Sequence, residues 1–255
     1  THNQNQYVYE AIKSCLNQSY KNFEIIIICT SKDKINLNKF SITEKKKIKY
    51  YHFKSKYIQP ELNQLNKILI GSKKSAGTYL IFLDGDDTFK KNKLSKINKI
   101  LQKKDILCNQ DLPDILDNNY KRKLNIKNHK NKFLMKYFFN QWPQIYGTSS
   151  ILIKRNILKV FFKKAKPFKW KLLAIDVQLI LFCKKFFSQY NFLSNITIKR
   201  IHTNNIGSDY MNFFKKKFWL RRNMQFDYCK FIKMENKISL DYIVTKIIYF
   251  FLINL

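Results

Sequence analysis

Gly77 to Asp87 reads GTYLIFLDGDD, an apolar run that ends abruptly in three carboxylates. Thr78 to Leu83 is too short for an independent helix and rich in residues that favour a pleated, buried surface, so it predicts a strand. In an open α/β sheet, ligands gather at the carboxyl ends of the strands. Asp84, Asp86 and Asp87 therefore stand where chemistry is expected, and Gly85 lets the backbone turn Asp84 and Asp86 toward one point. Clustered carboxylates raise each other's pKa unless a cation neutralises them. A hard divalent ion, Mg²⁺ or Mn²⁺, bridging these acids and a diphosphate answers that repulsion. The competing reading is a solvated acidic turn, with Asp87 capping the helix that follows.

Outward from this stretch, strands and amphipathic helices alternate. Phe23 to Cys29, FEIIIIC, is a second apolar run that predicts a strand buried on both faces. Val8, Ala11, Ile12, Cys15 and Leu16 recur at helical spacing before it, and Ile48 to Phe53 is a weaker strand after it. Pro60 suits a first helical turn, with Leu62, Leu65, Ile68 and Leu69 as the buried face. Leu94, Ile97, Ile100 and Leu101 mark another helix, and Asp105 to Cys108 a short strand. The pattern predicts a Rossmann-like, doubly wound α/β domain with a mostly parallel central sheet. Because the chain opens at Thr1 in a loop-like THNQNQ, a preceding strand is expected.

The second half is less regular. Gly147 to Ile153 predicts a strand feeding a short helix, Ile175 to Phe187 a helix, and Asn191 to Ile201 an extended segment. Residues 1–210 read as one domain and residues 211–255 as a basic, helical tail that includes KKKFWLRR, Lys215 to Arg222. Ile238 to Leu255 is apolar but interrupted by Asp241 and Lys246. It is shorter than the roughly 20 residues of a spanning helix, and an interfacial amphipathic helix fits it better. KKKFWLRR is either a solvated charged face or, through Phe218 and Trp219, part of that interface.

Composition sets the broad class. Apolar residues make up 45% of 255, which excludes a disordered chain, and the formal charge of +32 favours anionic partners. Cys15, Cys29, Cys108, Cys183 and Cys229 are widely spaced, so the expectation is buried thiols in a reducing cytoplasm rather than a zinc or disulfide framework. Phosphate-loop, dinucleotide and zinc-protease motifs are absent from the sequence.

The quoted stretch resembles the D-x-D signature of family 2 glycosyltransferases of the GT-A fold. The likeness extends to YVYEAIKSCLNQSYKNFEIIII (Tyr7 to Ile28) and LNKILIGSKKSAGTYLIFLDGDD (Leu65 to Asp87), in the family's order. It covers residues 1–110 well and 145–210 loosely. This resemblance implies an inverting, metal-dependent transferase that moves a sugar from a nucleotide-diphosphate donor to a glycan or lipid-linked acceptor. It assigns Asp84 to donor ribose or metal, Asp86 to the metal, and His202 to the metal or diphosphate. Thr1, Asn3, Thr30, Asn66 and Arg200 fall on donor-binding positions, with Lys67 near the donor. Asp176 falls at the general base, although a helix-opening acid is the plain alternative. Gly147 to Ser150 falls on the acceptor side, with Trp142 stacking on sugar or simply packing.

Two departures stand out. Ile175 replaces an acid that usually precedes the base, and Cys29-Thr30-Ser31 replaces an acidic cluster that reads the nucleotide. The second departure supports an alternative, a non-catalytic relative that binds sugar nucleotide or a partner. A basic nucleic-acid-binding protein is a further alternative, without a motif to carry it. The basic tail implies peripheral attachment to an anionic membrane, at its cytoplasmic face.

Overall fold

The computed structural model describes residues 5–31, 34–117, 120–123, 142–187, 191–202, 212–234 and 238–254. In chain order the elements are α1 (Asn5–Leu16), β1 (Ile25–Cys29), α2 (Ile42–Lys45), β2 (Ile48–His52), α3 (Pro60–Lys74), β3 (Tyr79–Ile81), β4 (Thr88–Phe89) and α4 (Lys93–Leu101). They continue with β5 (Cys108–Asp117), β6 (Tyr120–Lys123), β7 (Ile151–Lys154), α5 (Arg155–Lys164), α6 (Ile175–Phe187), β8 (Asn191–Ile201), α7 (Lys216–Phe231) and α8 (Leu240–Asn254).

The α/β class stands. β1 and β2 form a parallel pair, Ile25 opposite Ile48 through Cys29 opposite His52. A second sheet has the order β3-β7-β5-β8-β4, with β6 on β5. Strand direction corrects the expectation of a mostly parallel sheet. β5 and β8 are parallel, whereas β7 runs against both β3 and β5, and β4 against β8. Apolar runs report burial on both faces, which helices supply whichever way a strand points, so direction was not in the pattern.

Local chemistry explains the elements near the acidic turn. α3 starts at Pro60, whose missing N–H costs nothing in a first turn, and buries Leu62 and Leu65. α1 buries Val8, Ile12 and Leu16 against Ile27, Cys29 and Phe40. β5 is the surprise: its Asn109, Gln110, Asp111 and Asp114 are buried. Lys93, itself buried, compensates Asp111 at 2.8 Å and also donates to the Ser149 carbonyl at 3.0 Å. A buried ion pair persists only with such extra hydrogen bonds. The pair ties α4 to β5 and to the Gly147–Ser150 segment.

The main core gathers Ile151, Ile153, Leu158, Phe161 and the apolar run of α6. α7 adds Tyr228, Cys229 and Ile232 to it, and Tyr228 donates to the Gln178 carbonyl at 2.8 Å. Trp142, half-buried, packs edge-on against Phe226 at 5.1 Å at the margin of the main core. Of the cysteines, Cys29, Cys108, Cys183 and Cys229 are buried and Cys15 half-buried.

Candidate active site

The acidic turn lies past the end of β3 and opens into a cleft of about 1320 Å³. Two segments distant in sequence position it. The Asp84 amide donates to Ser149 Oγ at 2.9 Å, and Gln64 Nε2 donates to Asp84 Oδ1 at 2.8 Å and Thr148 Oγ1 at 3.1 Å. Gly147, at φ 99°, occupies the left-handed region, and a Cβ there would sit 2.9 Å from Lys199 Nζ. Glycine thus lets that amine approach the wall beside Thr148.

His202 meets the turn from the end of β8, with Nε2 2.9 Å from Asp86 Oδ2. The Arg200 amide donates to Asp87 Oδ1 at 2.9 Å, and its Nε donates to the Asp86 carbonyl at 3.1 Å. The same guanidinium pairs with Glu10 and lies 4.3 Å over the Tyr7 ring, binding α1 to the turn.

Across the cleft, Asp176 opens α6 and accepts from the Val177 amide at 2.8 Å. Its charge reaches Asp84 and contributes to raising that carboxyl's pKa. Ile175 beside it is fully buried in the core, so the position that lacks an acid faces away from the cleft. Asp84, Asp86, Asp176 and His202 thus line one space.

The remaining predicted residues divide. Thr1 and Asn3 lie outside the described residues. Thr30 is buried at the end of β1, where its Oγ1 accepts from Asn63 Nδ2 at 3.2 Å. Among the described residues, Asn66 and Arg200 do not line the cleft. At 100° per residue, the α3 face that does so carries Asn63, Gln64 and Lys67, and excludes Asn66. Alternation along β8 turns Lys199 into the cleft and Arg200 toward α1. Arg200 is therefore the clamp of the turn rather than a wall of the cleft. Sequence reading missed Gln64, Lys199 and Arg221. Only the helical phase of Gln64 and the strand parity of Lys199 signalled them.

Burial and neighbouring charge set the electrostatics of the turn. Burial first, then the Asp86 charge, pushes the Asp84 carboxyl up to about 6. Burial followed by Asp84 and Asp86 pushes Asp87 up to about 7. Burial also lowers the Lys67 amine, against the pull of Asp84. Among the described residues no three His, Cys, Asp or Glu side chains converge as a complete metal cage. Magnesium-type ions need no such cage, since they use one or two carboxylates together with substrate phosphates and water. Asp86 and His202, with Asp84 adjoining, fit that kind of donor set, and the repelling carboxylates are the charge a cation would neutralise.

This arrangement predicts an inverted pH dependence. Asp84 and Asp87 hold folded-state pKa values above the ordinary 3.8, so the native state binds more protons than the unfolded chain. Their contribution to stability is fully present below the unfolded value and is lost as pH rises through about 6 to 7. Thermal unfolding of the metal-free protein should show higher stability near pH 5 than near pH 8, with Mn²⁺ removing most of that difference. A flat profile without metal would mean that the turn is solvated.

Comparison with known proteins gives a consistent picture. The sequence profile described as "Glycosyl transferase family 2" matches residues 1–162. A glycosyltransferase of Rickettsia bellii, described as uncharacterized, is 34% identical over 108 residues, 42% of this chain and 15% of the relative. One of Haemophilus influenzae, described likewise, is 36% identical over 99 residues, 38% of each chain. The chain thus spans less than two fifths of the length of these relatives. Among solved structures, S. aureus TarS 1-349 in complex with UDP-GlcNAc superposes with a TM-score of 0.60 at 12% identity, over 98% of this chain and 71% of that one. Its complex with UDP gives a TM-score of 0.59 at 13% identity, over 89% and 63%. At these identities the superpositions speak for the GT-A fold.

Proposed function

Since the chain belongs to glycosyl transferase family 2, we propose that it transfers a sugar from a nucleotide-diphosphate donor to a glycan or lipid-linked acceptor, with inversion at the anomeric carbon. The observation that carries this reading is the placement of Asp176 across one cleft from the Asp84–Asp86–His202 cluster. The acceptor hydroxyl attacks C1 while Asp176 takes its proton, and the bond from C1 to the phosphate oxygen breaks. The nucleoside diphosphate leaves with that electron pair. Asp86 and His202, with Asp84 adjoining, would hold Mg²⁺ or Mn²⁺, which would supply positive charge for the leaving diphosphate. Lys199 and Arg221, in the same wall, add fixed positive charge.

Calorimetric titration with a panel of nucleoside diphosphates, with and without Mn²⁺, tests the donor site. UDP heads the panel because the TarS complexes contain it. Metal-dependent binding of one nucleotide supports the reading, and absence of binding by the folded protein overturns it. Binding without turnover on any acceptor would favour the non-catalytic alternative, which the burial of Thr30 against Asn63 supports.

The reading extends to attachment at the cytoplasmic face of a membrane. Among the described residues no helix is long and apolar enough to cross a bilayer. α8 instead has inverted polarity. Its polar Asp241, Thr245 and Lys246 face α7, where Asp241 pairs with Arg222 and Lys246 with Asp227 at 2.8 Å. Its apolar Ile243, Ile247, Phe250 and Phe251 are exposed. Exposed Phe213, Phe214 and Lys215 precede α7, and exposed Lys216 and Lys217 open it. An apolar stripe on so basic a chain suits an anionic lipid surface. Ile247→Glu with Phe250→Glu should weaken sedimentation with phosphatidylserine vesicles by about tenfold or more and leave thermal stability unchanged. Equal sedimentation of variant and parent would place attachment elsewhere.

A further inference from the structure

Lys93 stands where stability alone would not put it. It is buried, and it opens α4, the helix end at which the macrodipole disfavours a cation. Its partner Asp111 is only half compensated. Oδ1 takes the ammonium at 2.8 Å, while the buried Oδ2 meets no hydrogen-bond donor among the described residues. A buried pair with an orphan oxygen seldom recovers its desolvation cost, and apolar side chains of similar volume often serve the fold as well.

The ammonium directs its three N–H donors to Asp111, to the Ser149 carbonyl at 3.0 Å and to Thr197 Oγ1 at 2.5 Å, and it lies 4.1 Å over the Phe89 ring. Thr197 Oγ1 passes its own hydrogen to the same Ser149 carbonyl at 3.4 Å. Two donors thus fix one carbonyl. The side chain of that serine faces the acidic turn, where its Oγ accepts from the Asp84 amide at 2.9 Å and hydrogen-bonds the Asp87 carboxylate. Lys93 is itself held in place. Gln18, fully buried just past α1, donates from Nε2 to the Lys90 carbonyl at 2.9 Å and accepts at Oε1 from the Leu94 amide at 3.0 Å. Asn92, the residue before α4, forms no side-chain cap, so Gln18 supplies that helix start with its acceptor.

We propose that Lys93 is a positioning residue of the candidate active site, fixing Asp84 and Asp87 through Ser149. Lys93, Asp111 and Ser149 do not line the cleft, so the link acts on the turn from behind. The role rests on the transfer reaction proposed above, whose donor side the turn serves.

Lys93→Met alone would strand the Asp111 charge, so the test removes both charges at similar volume, as Lys93→Met with Asp111→Leu. This variant should melt within about a few degrees of the parent. Hydrogen exchange at residues 84–87, measured without donor, should nevertheless quicken by about tenfold or more. Turnover should fall by about 10–10²-fold with the KM for nucleotide sugar nearly unchanged, a split that a purely structural pair would not produce. Ser149→Ala in the parent should quicken the same exchange. Added to the Lys93/Asp111 variant it should change little further, since both act through one link. Exchange as slow as in the parent, or additive effects of the two sets of changes, would overturn the proposal. So would failure of the Lys93/Asp111 variant to fold, which would assign the pair to stability. Because exchange is read without donor, a parent that transfers no sugar counts against the proposed reaction and not against this link.

Discussion

Asp86→Ala should abolish metal-dependent nucleotide binding and lower turnover by about 10²–10³-fold, while the protein stays folded. The fold is expected to survive because the turn is held by other groups. Arg200 grips it through the Asp86 carbonyl and Asp87 Oδ1, and Ser149 accepts from the Asp84 amide. What disappears is the carboxylate that meets His202 at 2.9 Å and whose charge raises the pKa of both Asp84 and Asp87. The variant therefore carries a second signature. With Asp86 gone, Asp84 and Asp87 titrate lower, and the advantage of pH 5 over pH 8 in thermal stability shrinks. Calorimetry with the cognate nucleotide and Mn²⁺, together with unfolding at both pH values, reads the two effects separately. Retained metal-dependent binding would remove Asp86 from the metal site. Unfolding of the variant would assign Asp86 to the structure of the turn.

Position along the chain was legible where a local rule was enough. The apolar runs at Phe23–Cys29 and Thr78–Leu83 locate β1 and β3, and Pro60 marks the start of α3. The acidic turn and Asp176 could be placed because order along an α/β chain puts them at strand and helix ends. β5 was scarcely legible: the strand expected at Asp105–Cys108 meets it only at Cys108, since Asn109, Gln110, Asp111 and Asp114 look like a loop. They are buried through partners distant in sequence, Lys93 for Asp111 and Asn195 for Asp114. No window of sequence contains both halves of such a pair. Asn66 and Arg200 lie outside the cleft lining for a different reason: each is in the expected element, one position from a residue, Lys67 or Lys199, that does line it. Resemblance aligns elements, whereas helical phase and strand parity decide which side chain points inward.

Asp176→Asn separates chemistry from architecture most cleanly. Asparagine keeps an oxygen to accept from the Val177 amide, so the start of α6 is preserved. If Asp176 were only a helix-opening acid, its charge would contribute about 0.3–1 kcal/mol to stability through the macrodipole, and turnover would hardly change. As the general base it has no substitute. Ile175 beside it is fully buried, and Asp84 and Asp86 across the cleft are the groups assigned to the donor and its metal. Turnover should then fall by about 10²–10⁴-fold, with donor affinity nearly unchanged, since the acceptor's proton and not the diphosphate is what Asp176 meets. Asp176→Glu should recover part of the rate, because it keeps the acid and displaces it by one methylene. The neutral variant should also lower the pKa of Asp84, which the Asp176 charge now raises, so the metal-free protein should keep more of its stability at neutral pH. A variant that keeps its rate yet shows this stability change would locate Asp176 in the field of the cleft but outside the reaction. Loss of rate with donor binding intact is the outcome that only a base predicts.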